Sequence, residues 1–520
     1  AHHAAPQMRN ANLLLRQGPA ALVARPVLQH RRHHQNADTA SSRRPRSPSR
    51  AQTLPGSGSG PGTGSSRWNP LAAAKIYSAK GRWQGKAVIL SGSVWDSCIL
   101  LCAPAFTQPS APIFRELLDA WVLCPGRHTV TRMIRMLDPT PRRKHDAYHR
   151  FLRDGVWGLP ALWRILAQLL VAGLLEPAAI LPLDVDDTLF HKTGRKVDGA
   201  GAYRDAIRST GKRIVYALGL NLIVLTLRIK APWGGEPLGL PIDVRLYRKG
   251  GPTHLDLTEE MLQEVCGWFP GWKMRLCGDG AYASLARRLP PLCHFTSRMR
   301  RDAALYELPP ERSKKMRGRP RKKGKRLPTP VEIALHLQAE QWRRVRIDFP
   351  GSIKERQNYT RQLLWYATSP GAPVLLVIVR DPKGKEPDDF FFTTELAAAG
   401  KAVAEGYCGR WSIEDTFRNT KQYLGGEDPQ TWKGRGPERA ASLSFWIYAI
   451  VWYWYIKTYG SQTTWTVMPW YPGKRTPSFI DALAALRTVL WGRRVFARSD
   501  SSALPRKFAD VLISVLAGAT

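Results

Sequence analysis

Acidic residues are scarce in this chain. Its 520 residues include 41 Asp and Glu against 78 Lys and Arg, a formal net charge of +37 at pH 7. Such an excess points to a polyanionic partner, either nucleic acid or an anionic membrane surface. Long apolar runs are also missing. The longest, SLSFWIYAIVWYWYI at 442–456, has 15 residues, short of the roughly 20 that a membrane-spanning helix needs. It reads as a buried, aromatic-rich core helix in which Trp446, Trp452 and Trp454 pack rather than stack on bases. No membrane association is therefore expected. The first 30 residues contain no continuous apolar region, so no signal peptide is expected either. The seven cysteines include no C-x-x-C pair. That argues against a disulfide scaffold or a zinc ribbon and suits a reducing cytoplasm.

The order of segments is legible from composition and period. Residues 1–67 hold ten Arg and one acid among clustered Ser, Pro and Gly, a composition that cannot bury a core and predicts a disordered basic tail. The opening AHHAAPQ lacks methionine, which suggests a misassigned or read-through start. Residues 68–109 give no clear pattern. Over 110–180, APIFRELLDAWVL, HTVTRMIRML and LPALWRILAQLLVAGLL show helical spacing. The period then shortens. AAILPLDVDD, RIVYALGLNLIVLTLRI and LPIDVRLYRK read as three strands, followed by a helix at LTEEMLQEVCGWF capped by Thr258. A strand at WKMRLCGDG, a short helix at YASLARRL and a strand at HFTSRM complete an α/β pattern with a mixed sheet. Residues 312–326, RSKKMRGRPRKKGKR, carry ten basic residues in fifteen and no acid, so an exposed arm is expected. Its RGRP, Arg317–Pro320, resembles an AT-hook core, although a nonspecific phosphate-binding loop is the simpler and favoured explanation of the composition. Further strands follow to residue 395, then helices.

Candidate chemistry lies at two strand ends and on one helix. LDVDDT offers Asp184, Asp186 and Asp187, with Asp184 and Asp186 on one strand face. CGDGAY ends a strand with Asp279 beside a glycine that permits a sharp turn. Open α/β sheets bind ligands at such ends, though a lone DG is usually just a turn. In EGYCGRWSIEDTFRNTKQYLGG, residues 405–426, read as one helix stopped by Gly425-Gly426, Tyr407, Arg410, Glu414 and Lys421 fall within about 60° of one another. A solvated face with one ion pair would explain that arrangement alone. With the two aspartate sites, the three acids can instead hold two divalent cations that drive phosphodiester displacement. Magnesium suits such oxygen ligands. Arg410 and Lys421 would then grip phosphates, and Tyr407 would stack on a base or donate to a phosphate.

The spacing Tyr407-x2-Arg410-x3-Glu414-x6-Lys421, set in GYCGRWSIEDTFRNTKQYLG, resembles the Y-R-E-K signature of bacterial insertion-sequence DDE transposases. GDGAY and DVDDTLFHKTGRKVDGAG are similar to that family's two aspartate blocks. The resemblance covers roughly 110–495. It implies a ribonuclease-H-like mixed sheet with a β-rich insertion and a helical N-terminal, DNA-binding domain over 110–180. The catalytic domain would comprise 181–311 and 396–495, the basic loop and insertion 312–395, and a C-terminal tail 496–520. It implies Asp186, Asp279 and Glu414 as catalytic and metal-binding, with Asp186 selected because Asp186-Asp187-Thr188 satisfies a D-x-T pattern. Mg²⁺ is the implied metal, with Mn²⁺ able to substitute. DNA contacts would come from Tyr407, Arg410 and Lys421, and from Arg317, Arg319, Arg321, Lys322 and Lys323 of the arm. The implied partners are transposon ends, target DNA and a second copy in the active complex, in a bacterial, nucleoid-associated setting.

Two other readings compete. LDVDDTLF also looks like the D-x-D-x-T motif of haloacid-dehalogenase-like phosphatases, in which Asp184 would attack phosphate and Asp186 act as general acid. Against it, Ala281, Tyr282, Ala283 and Ser284 follow GDG where that family needs another acid, and a charge of +37 has no use for a small phosphorylated substrate. The other alternative is a transposase relic that binds DNA without cleaving it.

Overall fold

A computed structural model describes residues 88–137, 143–177, 180–310, 321–349, 352–462, 465, 467, 469–498 and 506–518. The tail expected over 1–67, residues 68–87, and Arg317 and Arg319 of the arm lie outside the described residues.

Five helices come first: α1 (Val88–Leu101), α2 (Ser110–Leu123), α3 (Val130–Arg135), α4 (His145–Arg153) and α5 (Leu159–Leu174). α1 lies in the stretch for which the sequence has no clear pattern. Apolar residues such as Leu117, Trp121, Leu166 and Leu170 bury one stripe of these helices. They do not form a free-standing layer. They share one core with α10 (Gly436–Tyr459) and α11 (Phe479–Arg498). Trp121 Nε1 donates to the Leu424 carbonyl at 2.8 Å, and Arg487 Nε donates to the Val122 carbonyl at 2.7 Å. α10 carries the aromatic run. Trp446, Trp452 and Trp454 are all buried in it, as a core helix requires, and among the described residues no helix is long and apolar enough to cross a membrane.

The sheet begins with β1 (Leu181–His191), β2 (Gly201–Arg204), β3 (Tyr216–Ile229) and β4 (Leu238–Tyr247). β1 and β4 run antiparallel on either side of β3, and β2 pairs with the first residues of β3. α6 (His254–Trp268) follows. Its cap is Thr253, not the expected Thr258: Thr253 accepts from the Asp256 amide and the Asp256 side chain closes a capping box. Thr258 is a buried interior residue that donates to the His254 carbonyl. Next, β5 (Met274–Gly278) pairs parallel to β1, and β6 (Cys293–Arg298) pairs parallel to β5. An antiparallel triple continued by two parallel strands is a ribonuclease-H-like mixed sheet. After α7 (Pro330–His336), the strands β7 (Arg343–Phe349), β8 (Ser352–Leu363), β9 (Val374–Arg380) and β10 (Asp389–Thr393) form an antiparallel meander. β10 pairs with β6, so this β-rich segment extends the main sheet, in the order β2-β3-β1-β5-β6-β10-β9-β8-β7.

Two helices then return across the sheet: α8 (Gly400–Gly409) and α9 (Ser412–Gln422). The single helix expected over 405–426 is broken at Arg410 and Trp411. α8 packs Val403, Ala404 and Tyr407 into a second apolar cluster with Val377, Val379 and Phe391. α9 turns Ile413 and Phe417 into the main core. No one axis satisfies both. A short helix, α12 (Arg506–Gly518), packs on α11.

Candidate active site

β1, the end of β5 and α9 converge on a cleft of about 570 Å³ lined by Asp186, Asp187, Asp279, Arg410, Glu414 and Lys421, among others. Each acid is held by its element. Asp186 and Asp187 belong to β1, in the register Asp186↔Val224 and Asp187↔Ile223 with β3. Asp279 follows β5, caps the next helical turn by accepting from the Ala281 amide at 2.9 Å, and takes a 2.7 Å bond from Ser297 Oγ on its own carbonyl. Glu414 sits in the first turn of α9, where the helix dipole favours a carboxylate. Two contacts seat α9 on β4: Thr416 Oγ1 donates to the Gly239 carbonyl at 2.7 Å, and a Cβ at Gly239 would stand only 3.1 Å from Ser412.

Electrostatics bind these groups into one system. Burial pushes the Asp186 carboxyl up to about 7; Arg410 opposes the rise, while Asp279, Glu414 and Asp187 add to it. Arg410 Nη1 donates to Asp186 Oδ2 at 2.5 Å. Glu414 is solvent-exposed at the open side of the cleft. Desolvation still raises its carboxyl, against Arg410 and Lys421 and with help from Asp279. Desolvation also raises Asp187, whose Oδ2 accepts from Asn221 Nδ2 at 3.2 Å. Lys421, half-buried with its ammonium 5.7 Å from the centre of the Phe190 ring, is lowered by burial. Three side-chain atoms of Tyr282, Asn221 and Arg410 (Oη, Oδ1 and Nε) are buried with no hydrogen-bond partner.

An all-carboxylate set of mutually repelling donors, beside unsatisfied polar atoms, has the chemistry of a hard divalent-cation site. The side chains do not yet enclose an ion. Among the described residues no three His, Cys, Asp or Glu groups are clustered closely enough to hold one, and the positive charge at Asp186 is supplied by Arg410. The residues fit a metal provided that Arg410 yields Asp186 to it.

Asp184 stands elsewhere. It is fully buried two residues before Asp186 and outside the cleft lining, where Arg228 Nε donates to its Oδ2 at 2.9 Å and Arg228 Nη2 to its Oδ1. Arg228 Nη1 continues to the Gly406 carbonyl at 2.6 Å, which ties β3 to α8. A carboxylate so engaged cannot attack phosphate, and the phosphatase reading, in which Asp184 is the nucleophile, fails on this burial. Tyr407 is also corrected. Only 4% exposed, it packs on Phe391 with ring centres 4.9 Å apart, between the Arg298 and Arg410 guanidiniums. It supports Arg410 and has no face free for a base. Of the arm, Arg321, Lys322 and Lys323 are exposed, with the Lys323 ammonium 4.1 Å from the centre of the Tyr306 ring.

Sequence reasoning missed a polar clamp beside the cleft. His191, at the end of β1, bonds through Nε2 to Asp205 Oδ2 at 2.8 Å and through Nδ1 to Glu427 Oε1 at 3.0 Å, and Lys192 Nζ donates to the Glu427 carbonyl at 2.7 Å. The available signal was Gly425-Gly426, which does more than stop a helix. Gly425 has φ 51°, and a Cβ on Gly426 would lie 2.6 Å from the Phe190 ring. The chain is pressed there against the end of β1, which delivers Glu427 to His191.

Residues 106–352 match the family model of the DDE superfamily endonucleases. The matched stretch contains Asp186 and Asp279 and ends before Glu414. This supports a nuclease of DDE type, a superfamily that generally works with divalent metal ions. Among solved structures, the chain is similar to a piggyBac transposase synaptic complex with hairpin DNA seen by cryo-EM. Identity is 11%, with 86% of this chain and 80% of that one covered, at a TM-score of 0.31, a likeness too slight to bear on function. Comparison with curated proteins found no match.

Proposed function

We propose that this protein is a DNA transposase of the insertion-sequence type. It binds the terminal inverted repeats of its element, cuts the ends by phosphodiester hydrolysis and joins the 3′-hydroxyl ends to target DNA. The observation that carries this reading is the convergence of Asp186, Asp279 and Glu414, from three separate elements, on one cleft in a protein of net charge +37. The DDE-endonuclease match over two of the three acids adds to it.

In this reading Asp186, Asp279 and Glu414 would hold Mg²⁺, for which Mn²⁺ could substitute, and the ion would supply Lewis-acid chemistry for phosphodiester displacement. Arg410 holds Asp186 in place until then and afterwards faces phosphate. Lys421, on the same wall as Glu414, neutralises the phosphate that enters. Arg321, Lys322 and Lys323 add sequence-independent grip. Pairing two ends calls for two copies of the chain in the active complex, in a bacterial cytoplasm where the DNA is accessible.

Asp279→Asn or Glu414→Gln removes a ligand charge and leaves the basic surface intact. Each should abolish Mg²⁺-dependent nicking of a supercoiled plasmid carrying the element's ends, with DNA affinity kept within a few-fold. Undiminished nicking by either variant overturns the assignment. Nicking absent from the wild type, with repeat DNA still bound, would make the chain a DNA-binding relic.

A further inference from the structure

The cleft has one wall that catalysis does not use. β2 and β3 form a hairpin, and the residues between them, 205–215, line the cleft through Asp205, Ala206 and Ile207. The loop is exposed yet tightly braced. Asp205, only 2% exposed, accepts the Ile207 and Arg208 amides on Oδ1 at 3.1 Å each, and His191 Nε2 on Oδ2. Its amide donates to the Val215 carbonyl at 2.8 Å, and Ser209 Oγ accepts from the Val215 amide at 3.0 Å. A braced loop would ordinarily turn apolar side chains inward. This one leaves Ile207 74% exposed beside the acids. Around it stand Arg204, Arg208, Lys212 and Arg213, all exposed. The only acid of the loop, Asp205, is buried, hydrogen-bonded to His191 and ion-paired with Arg208.

An aliphatic side chain fixed among cations, in a loop with no exposed acid of its own and with Ile214 and Tyr216 as the other exposed apolar residues of the hairpin, is too sparsely surrounded by apolar groups to be the centre of a protein interface. It matches a nucleic acid. The cations neutralise phosphates, and an apolar wedge enters between base pairs and unstacks them. We propose that the 205–215 loop grips DNA next to the scissile phosphate and that Ile207 inserts at the adjoining base step, opening the duplex so that one strand reaches the acids. This rests on the nuclease reading of the cleft and adds to it the residue that prepares the substrate. Unstacking is energetically cheapest where bases are already unpaired, so the loop should favour frayed ends over closed duplex.

The test uses the full chain and a short duplex with the fluorescent base 2-aminopurine near one end, bound without divalent metal. Wild type should raise the fluorescence on binding, and more so when the labelled base is mismatched. Ile207→Ser should lose most of that rise, keep the wild-type dependence of affinity on salt, and no longer prefer the mismatched duplex; Ile207→Leu should restore the rise. The triple variant Arg208→Gln, Lys212→Gln, Arg213→Gln should flatten the logarithmic salt slope by up to about 2.7, at roughly 0.9 per lost phosphate contact. A wild-type fluorescence rise from Ile207→Ser overturns the wedge, and an unchanged slope in the triple variant overturns the grip. Mg²⁺-dependent nicking by the wild type, measured in parallel, separates the two ideas. Nicking with no effect of Ile207→Ser sinks the wedge alone. Loss of the rise without any nicking sinks the nuclease reading and leaves the loop's DNA contact standing.

Discussion

Arg410 Nη1 sits 2.5 Å from Asp186 Oδ2, so the most perturbed carboxylate of the cleft is neutralised by a side chain from the break between α8 and α9. The pair couples a strand to a helix break 224 residues away in sequence. It also makes a metal ion and a guanidinium rivals for one carboxylate.

Replacing Arg410 by Ala should therefore make the protein dependent on metal for its stability. Without metal the cost should stay below the roughly 3–5 kcal/mol of an unrelieved buried charge, because Asp186 can take up a proton instead. Adding Mg²⁺ should raise the melting temperature of Arg410→Ala more than that of the wild type, since the ion then supplies the missing charge. Equal shifts in calorimetry would show that Arg410 and metal do not compete.

Asp184→Asn should act on folding, not on chemistry. It leaves the buried Arg228 guanidinium with neutral acceptors such as the Gly406 carbonyl but without its counter-charge, at a cost of about 3–5 kcal/mol. The urea midpoint should fall, and raising Mg²⁺ or supplying Mn²⁺ should not restore it. Recovery of stability in the double variant Asp184→Asn, Arg228→Met would confirm that the stranded guanidinium is the cause.

His128 predicts a loss of stability in mild acid. Burial, reinforced by the Arg487 charge, lowers its imidazole from 6.5 to about 4. The unfolded chain thus binds a proton between these values that the folded chain refuses. The contribution is intact above pH 6.5 and lost as pH falls towards 4, by about 3 kcal/mol over the whole range. Urea midpoints of wild type and His128→Gln from pH 7 to pH 4.5 should converge as the wild type loses this term. Parallel curves would refute it.

The visible part of the arm should contribute to DNA binding through charge alone. Arg321→Gln with Lys322→Gln should weaken binding to all duplexes alike and lower the salt slope by about 0.9 per lost phosphate contact. Lys323→Gln should do less, because its ammonium is already engaged over Tyr306. Anisotropy titrations at several salt concentrations distinguish these outcomes.

Much of this could be read along the chain, and what could not has a common cause. β1, β3, β4 and β5 announce themselves by local period and composition, and Asp279 and Glu414 close and open elements, where acids are conspicuous; Asp186, expected at a strand end, instead lies in the middle of β1, which runs on to His191. One continuous helix over 405–426 would set Tyr407 on the same open face as Glu414, but the chain breaks into α8 and α9. The burial of Tyr407 depends on α8 facing Phe391 of β10, a partner that no local pattern names. The union of β6 with β10 is hidden for the same reason, since strand partners are chosen by tertiary packing. Asp184 and Asp186 share a spacing that fits one face, yet Arg228 claims the first and Arg410 the second. Which cation reaches which acid is decided by elements far away in sequence.

The order in which those elements leave the ribosome has a consequence of its own. β1 and β5, with their aspartates, emerge and can pair long before α9 has been synthesised, yet the cleft has no third acid and Asp186 has no Arg410 until residues beyond 410 are free to dock. Chains of this size fold by segments from the N-terminus as they are made. A growing or prematurely terminated polypeptide thus carries much of the basic charge but no assembled acid cleft, and under the proposed function the hazard of a loose nuclease would be confined to molecules whose synthesis has run past α9.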